Sequence, residues 1–285
     1  SAGSGNFILN PGARANWYPN NPFTAFGDRA LFDITYRYGK RYTMVSGGNP
    51  VGEETVENDM KVSKWTSGGV EFEVLGFNYG DIKVKKFDDP MSGYSLEVYA
   101  NTEMPDFMKD YLSRVELFES RGGETQTNLA TVNTTSGMDK VMIEAQNSVR
   151  LYNAYFGKLP YKRIAMTQQP AGNFGQAWTT LIYMPFIAYI DRTSRAQLIG
   201  MRGGTNDFWD EVGPHEVAHQ WWGHIVGWTS YRDQWMSEGF SELSASLYVQ
   251  YVSKDIDKFI RYWELQRQQI VNASPANRGY KPFKV

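Results

Sequence analysis

The sequence predicts an α+β protein whose strands come first and whose helices come last. From Asn6 to about Met104, apolar residues recur at every second position; after Pro105 they recur at helical spacing. A third observation is the stretch HEVAHQWWGH at 215–224, which places every histidine of the chain on one of the late helices.

The elements follow in order. In LFDITYRY, residues 31–38, Phe32, Ile34, Tyr36 and Tyr38 alternate with Asp33, Thr35 and Arg37, as a half-buried strand requires. RYTMVSGG follows a Gly-Lys turn as a return strand. VEFEVLGF, DIKVKKF and YSLEVYA repeat the pattern between Gly- and Asp-rich connections. Together they predict a β-sandwich or an open antiparallel sheet over residues 1–105. Residues 106–285 then form a mainly helical domain with a small mixed sheet.

In that second part, Met138, Val141, Ala145, Val149, Tyr152 and Phe156 define a helix over 138–157, stopped by Gly157 and Pro160. RIAMT (163–167) and LIYMPF (181–186) read as short buried strands, the second with Pro185 predicting a sheet edge. Helices are expected near 205–226, 237–252 and 254–271. Ile256, Phe259, Ile260 and Trp263 share a face of the last. GGETQTNLATVNTTSG (122–137) is expected to be a mobile loop.

Composition excludes several chemistries. A net charge of -2 offers no field for nucleic acid or an anionic membrane. With no cysteine there is no disulfide and no thiolate ligand, so a metal would fall to His, Asp and Glu. The longest apolar run, LIYMPFIAYI at 181–190, is too short to span a bilayer. The opening SAGSG has no Met and no signal peptide, and reads as a cloning remnant before a chosen boundary.

On a helix, residues four apart lie one turn apart on one side, so His215 and His219 can offer two imidazoles to one ion. Glu216 would sit beside them as general base, the H-E-x-x-H arrangement of zinc peptidases. Glu238, nineteen residues beyond His219, is the candidate third ligand on a returning helix. A catalytic zinc, one per chain, needs three protein ligands and one open position. Glu242, one turn after Glu238, and Asp233 are candidates to accept the outer N–H of a liganding imidazole. His224 points elsewhere and reads as a surface residue or one behind the ligands. Trp221 and Trp222 read as core. Pro214 predicts that the motif helix begins there, leaving NDFWDEV as a separate short helix; a kinked continuous helix is the alternative.

With these residues in view, HEVAHQWWGHIVGWTSYRDQWMSEGFSELSA resembles the zinc signature of the M1 aminopeptidases, a family of the gluzincin clan. WYPNNPFTAFGDRALFDITYRYGKRYTMVSGG and KWTSGGVEFEVLGFNYGD resemble the end of that family's N-terminal β-domain. YFGKLPYKRIAMTQQP resembles the start of its thermolysin-like catalytic domain. The resemblance implies a zinc-dependent peptidase with a peptide substrate, ligands His215, His219 and Glu238, base Glu216, and further domains in the parent chain. It also implies that the family's transition-state tyrosine lies beyond Val285, so that this fragment alone turns over poorly.

One departure bears on specificity. Where the family has G-x-M-E-N on its substrate-binding edge strand, this chain reads NFGQAW, with Gly175, Gln176 and Ala177 as the substrate-contacting candidates. Gln176 replaces the glutamate that binds the substrate's free amine. A neutral amide discriminates less in favour of an ammonium than a carboxylate does. The expectation is therefore an M1-like zinc peptidase with weakened recognition of the free N-terminus. The alternative is a zinc-containing peptide-binding or structural module without catalysis.

Overall fold

A computed structural model of the chain describes residues 6–9, 17–19, 28–106, 108–110, 113, 133–170, 174–191, 193–195 and 206–271. Most of the expected mobile loop at 122–137 lies outside them. The strands are β1 (Asn6–Leu9), β2 (Asp33–Gly39), β3 (Thr43–Ser46), β4 (Asn49–Pro50), β5 (Thr55–Glu57) and β6 (Met60–Thr66). They continue with β7 (Phe77–Gly80), β8 (Ile82–Asp88), β9 (Ser95–Asn101), β10 (Arg163–Gln169), β11 (Gln176–Trp178) and β12 (Leu181–Pro185). Four long helices follow the same chain order: α1 (Met138–Phe156), α2 (Asn206–Ala218), α3 (Gln234–Tyr248) and α4 (Ile256–Val271). The protein is thus α+β.

The first seven strands form two small antiparallel sheets, ordered β1-β7-β3 and β2-β6-β4, with β5 beside β6. Alternation on β2 works as expected: Tyr36 and Tyr38 turn inward onto Trp65 and Met44. The return strand does not pair with it, however. β3 joins β7 instead. Its residues are apolar to both sides, with Met44 in the tyrosine cluster and Val45 in a second core with Tyr99, Trp178 and Leu181. A strand buried on both faces bridges two layers better than it closes a hairpin. VEFEVLGF is also corrected: Phe72 makes a single bridge to Ala30, and the strand proper starts at Phe77.

The largest sheet runs β11-β12-β10-β9-β8. Its centre, β9, β10 and β12, is parallel, and both outer strands are antiparallel. β8 and β9 were expected to complete the β-rich region; β9 pairs instead with β10 and β8 with β9, so this sheet straddles residue 105. β12 lies inside the sheet, but β11 flanks it only over Leu181–Tyr183, so at Pro185 the strand end is paired with β10 and not with β11, the local edge that a residue without an N–H favours.

Helix α1 covers one face of this sheet. Its apolar stripe, Val141, Ala145, Val149 and Tyr152, packs in one core with Leu96, Val98, Ile164 and Met166. Burial on that scale contributes about 2 kcal/mol for each larger side chain. Arg150 on its flank donates through Nε to Asp89 Oδ2 at 3.0 Å and through Nη2 to Oδ1 at 2.5 Å, fastening the β8–β9 turn to the helix.

Two features position the site. At the tip of the β11–β12 hairpin, Thr180 is left-handed at φ 66°, a conformation that costs a β-branched residue about 1 kcal/mol or more. Three hydrogen bonds hold it. Its N–H donates to Gln220 Oε1 (2.9 Å), its Oγ1 accepts from Gly48 N (2.6 Å), and its carbonyl accepts from Ala165 N (2.9 Å). The second feature is α2, which runs unbroken through Pro214. The expected break before the motif does not occur, and the Pro214 carbonyl accepts from Tyr152 O–H at 3.1 Å. The helix also ends at Ala218, earlier than the expected 226, as short-range turns close at Gln220 and Trp221. Among the described residues no helix is long and apolar enough to cross a membrane.

Candidate metal centre and peptide edge

The site forms where the end of α2 meets α3 and the outer edge of β11. One helical turn brings His215 and His219 to the same side, with their Nε2 atoms 3.1 Å apart. From α3, Glu238 brings Oε2 to 3.4 Å from His215 Nε2 and 3.5 Å from His219 Nε2. These three residues form a group whose ligand atoms lie within 4.8 Å of one another.

The other ring nitrogens decide what this cluster is for. His215 Nδ1 lies 2.8 Å from Glu242 Oε2, an acceptor, so that nitrogen donates. His219 Nδ1 lies 3.0 Å from the carbonyl of Trp222, again an acceptor, with Ser241 Oγ at 3.1 Å. With both Nδ1 atoms protonated, two Nε2 lone pairs face each other and the Glu238 carboxylate. Such convergence is repulsive until a cation, a proton on His215 or a metal ion, occupies its focus. Two imidazoles and one carboxylate are a donor set that suits zinc, and the second partners on Nδ1 are those that fix liganding histidines.

Electrostatics agree. Burial opposes charge on His215, yet hydrogen bonds to Glu238 and Glu242 overcome it and push its pKa up to about 10. Burial likewise works against charge on Glu238, but the two histidines hold its carboxyl well below the usual range. His215 lowers Glu242 in the same way, against burial. Negative charge accumulates around the two imidazoles and favours a cation among them.

Glu216 differs from these carboxylates. It is buried, and its Oε2 has no hydrogen-bond partner among the described residues. Burial pushes its carboxyl up, opposed in part by His219 and His215. Gly175, just before β11, lies directly against it; a Cβ at 175 would overlap the Glu216 side chain. The absence of a side chain there is what lets the strand end and the carboxylate share one place. Gln176 follows, half-buried, and then Ala177, buried.

The structure brings together His215, His219, Glu238, Glu242, Glu216 and Gly175. Asp233 is not part of that group: it precedes α3 and accepts from Thr229 Oγ1 at 3.3 Å and Ser230 Oγ at 3.0 Å. His224 is buried rather than superficial and faces Glu73 and the Ala177 carbonyl. Sequence reading missed Glu73, although a glutamate inside the apolar run VEFEVLGF was a signal. The Trp222 carbonyl and Ser241 were missed as well, because neither carries a motif.

Fold and site define a mixed α+β protein with a two-histidine, one-glutamate metal-type cluster beside a strand edge. Residues 203–284 match the peptidase family M1 domain. A stretch of 58 residues is 36% identical to bovine glutamyl aminopeptidase, covering 20% of this chain and 5% of that protein. Among solved structures, an M1 zinc metallopeptidase from Deinococcus radiodurans superposes with a TM-score of 0.63 at 18% identity, over 94% of this chain and 51% of its own. A mutant of an M1 zinc metallopeptidase from the same organism, bound to a Tyr-Ser-Ala substrate, gives 0.56 at 18% identity, over 86% of this chain and 46% of its own. This chain therefore spans about half the length of these structures.

Proposed function

We propose that the chain carries the zinc centre of a metallopeptidase that hydrolyses peptide bonds with a weakened requirement for a free N-terminus. Its second part would belong to a thermolysin-like catalytic domain, and residues up to about 105 to a β-rich domain of the same parent. The observation that carries this reading is the convergence of two His Nε2 atoms and Glu238 Oε2 beside a buried Glu216 whose Oε2 has no hydrogen-bond partner among the described residues. His215, His219 and Glu238 would hold one zinc. When bound, zinc polarises a scissile carbonyl and makes water a nucleophile near neutral pH.

The chain's own residues supply the rest. Glu216, raised by burial, takes a proton from the attacking water and returns it to the leaving amine. Glu242 and the Trp222 carbonyl keep both imidazoles in the liganding tautomer. Gly175 lets the backbone of the peptide edge approach the base. Gln176 meets the substrate's amino end without a charge. An inert zinc module is less well supported, since it has no use for a buried carboxylate beside the metal.

The test has two arms. The 285-residue chain should bind one zinc. A polypeptide continuing past Val285, zinc-loaded, should cleave one peptide with its N-terminus free or acetylated at rates within about tenfold, the scale of one modest hydrogen bond. Cleavage of the free peptide alone would mean that another group anchors the amine.

A further inference from the structure

Helix α4 lies against the metal-bearing helices by its polar side. The apolar face expected to bury it stays largely outside: Ile256, Ile260 and Trp263 are exposed, as is Leu265. Among the described side chains of the helix only Tyr262 is buried, with Lys258 and Gln266 half-buried on either side of it. These three residues stand four apart, so they form one stripe along the helix. The chain turns back to place that stripe. A π-helical turn over Val249–Ser253 follows α3, and Lys254 is left-handed at φ 53°.

Each member of the stripe reaches a glutamate of α2 or α3. Lys258 Nζ lies 3.9 Å from Glu211 Oε1, and Glu211 stands one turn before His215 on α2. Tyr262 O–H donates to the backbone carbonyl of Glu242 at 2.9 Å. Burial pushes the phenol up, so it stays protonated and a donor. Gln266 Nε2 donates to Glu242 Oε1. The other oxygen of that carboxylate, Oε2, accepts from His215 Nδ1 at 2.8 Å. One carboxylate thus joins α4 to the first imidazole of the metal cluster, with one oxygen for each.

A carboxylate held through one oxygen still turns about its last side-chain torsion, which is broad. A second hydrogen bond on the opposite oxygen fixes its plane, and with it the direction from which His215 Nδ1 is held. That direction matters, because the outer partner of a liganding imidazole sets both its tautomer and its ring orientation. Tyr262 adds a hold on the backbone from which Glu242 projects. We propose that α4 is a brace for the metal centre and that Gln266 is its positioning residue, aligning Glu242 so that His215 Nε2 keeps its convergence with His219 and Glu238. This rests on the metal-binding part of the proposed function and deepens it.

The experiment measures the zinc affinity of the 285-residue chain by competition with a fluorescent chelator, a readout that needs no hydrolysis. Gln266→Leu keeps the bulk of the side chain and removes its donor. It should weaken zinc binding by about fivefold, the worth of one hydrogen bond. Gln266→Lys returns a donor to Glu242 Oε1 and should bring affinity back to within about twofold of the native chain. Gln266→Leu is then repeated in a Glu242→Ala background. There the side chain at 266 has no carboxylate to hold, and the substitution should change affinity by less than about twofold.

Native zinc affinity in the Gln266→Leu chain overturns the proposal and leaves the metal centre standing. So does an equal loss whether Glu242 is present or replaced, which would make α4 a packing element acting on the whole fold. A Gln266→Lys chain that binds zinc no better than Gln266→Leu overturns it too. A native chain that takes up no zinc sinks the metal centre and the brace together.

Discussion

The molecule holds two histidine–carboxylate clusters within a few residues of each other, and they do opposite things. Around His224 the polar atoms meet partners: both ring nitrogens lie within hydrogen-bonding distance of an oxygen, and Glu73 is matched by Arg29. Around His215 and His219 the outer nitrogens are matched in the same way, but the inner ones face each other and Glu238. One cluster is saturated and buried. The other is left with converging lone pairs, and its Glu238 side chain is 56% exposed. Residue type alone does not make a site; what makes one here is a set of donor atoms that satisfy nothing but a cation.

Breaking the open cluster should have the largest effect. His219→Ala removes one of the three proposed ligands and should leave the protein without stoichiometric zinc by atomic absorption; one zinc per chain in that variant would place the site elsewhere. Glu216→Gln should keep the zinc and lower hydrolysis by on the order of a thousandfold. Undiminished turnover would remove Glu216 from the chemistry.

The saturated cluster should respond in the other currency. Glu73→Gln leaves Arg29 without its counter-charge and should destabilise the fold by about 3 kcal/mol, with zinc content unaltered. Loss of zinc at unchanged stability would mean that the two clusters are not separate. Glu242→Gln returns to the open cluster more gently: it weakens the acceptor on His215 Nδ1 and should reduce zinc affinity by about 10- to 100-fold in a competition titration with a chelator.

The smallest effect sets the baseline for an ion pair remote from both clusters. Hydrogen bonds from Arg150 hold the Asp89 carboxyl well below the usual range, against its burial. A folded pKa depressed below the unfolded one gives stability that is complete above about pH 4. That stability is lost as pH falls toward the folded value. Asp89→Asn should cost about 2 kcal/mol at pH 7, and urea melts should show the difference from the native protein shrinking below pH 4. A difference constant with pH would exclude the charge as its source.

How far the sequence foretold this depends on how local each feature is. His215, Glu216 and His219 share one helical turn, and Glu238 and Glu242 share the next helix, so spacing alone was enough to place them. Glu73 and His224 are separated by 151 positions, and no period or motif links a buried glutamate to a histidine on another layer. The sheet order was missed for a different reason. In YSLEVYA alternation was read where burial is continuous: β9 is buried at six of its seven positions, the pattern of a central parallel strand. The end of α2 was hidden by Trp221 and Trp222, which continue an apolar pattern after the chain has already turned.

Thr180 has a consequence for anyone who would borrow the β11 edge. Its unfavourable backbone is held by a β-rich-region amide, a glutamine just after α2 and a central strand, each from a different part of the chain. The edge is therefore not a portable part. Grafted into another scaffold without Gly48, Gln220 and Ala165, the same hairpin sequence would relax to a different turn and lose its register. A glycine at 180 would accept the backbone angle yet lose the hydroxyl that Gly48 requires.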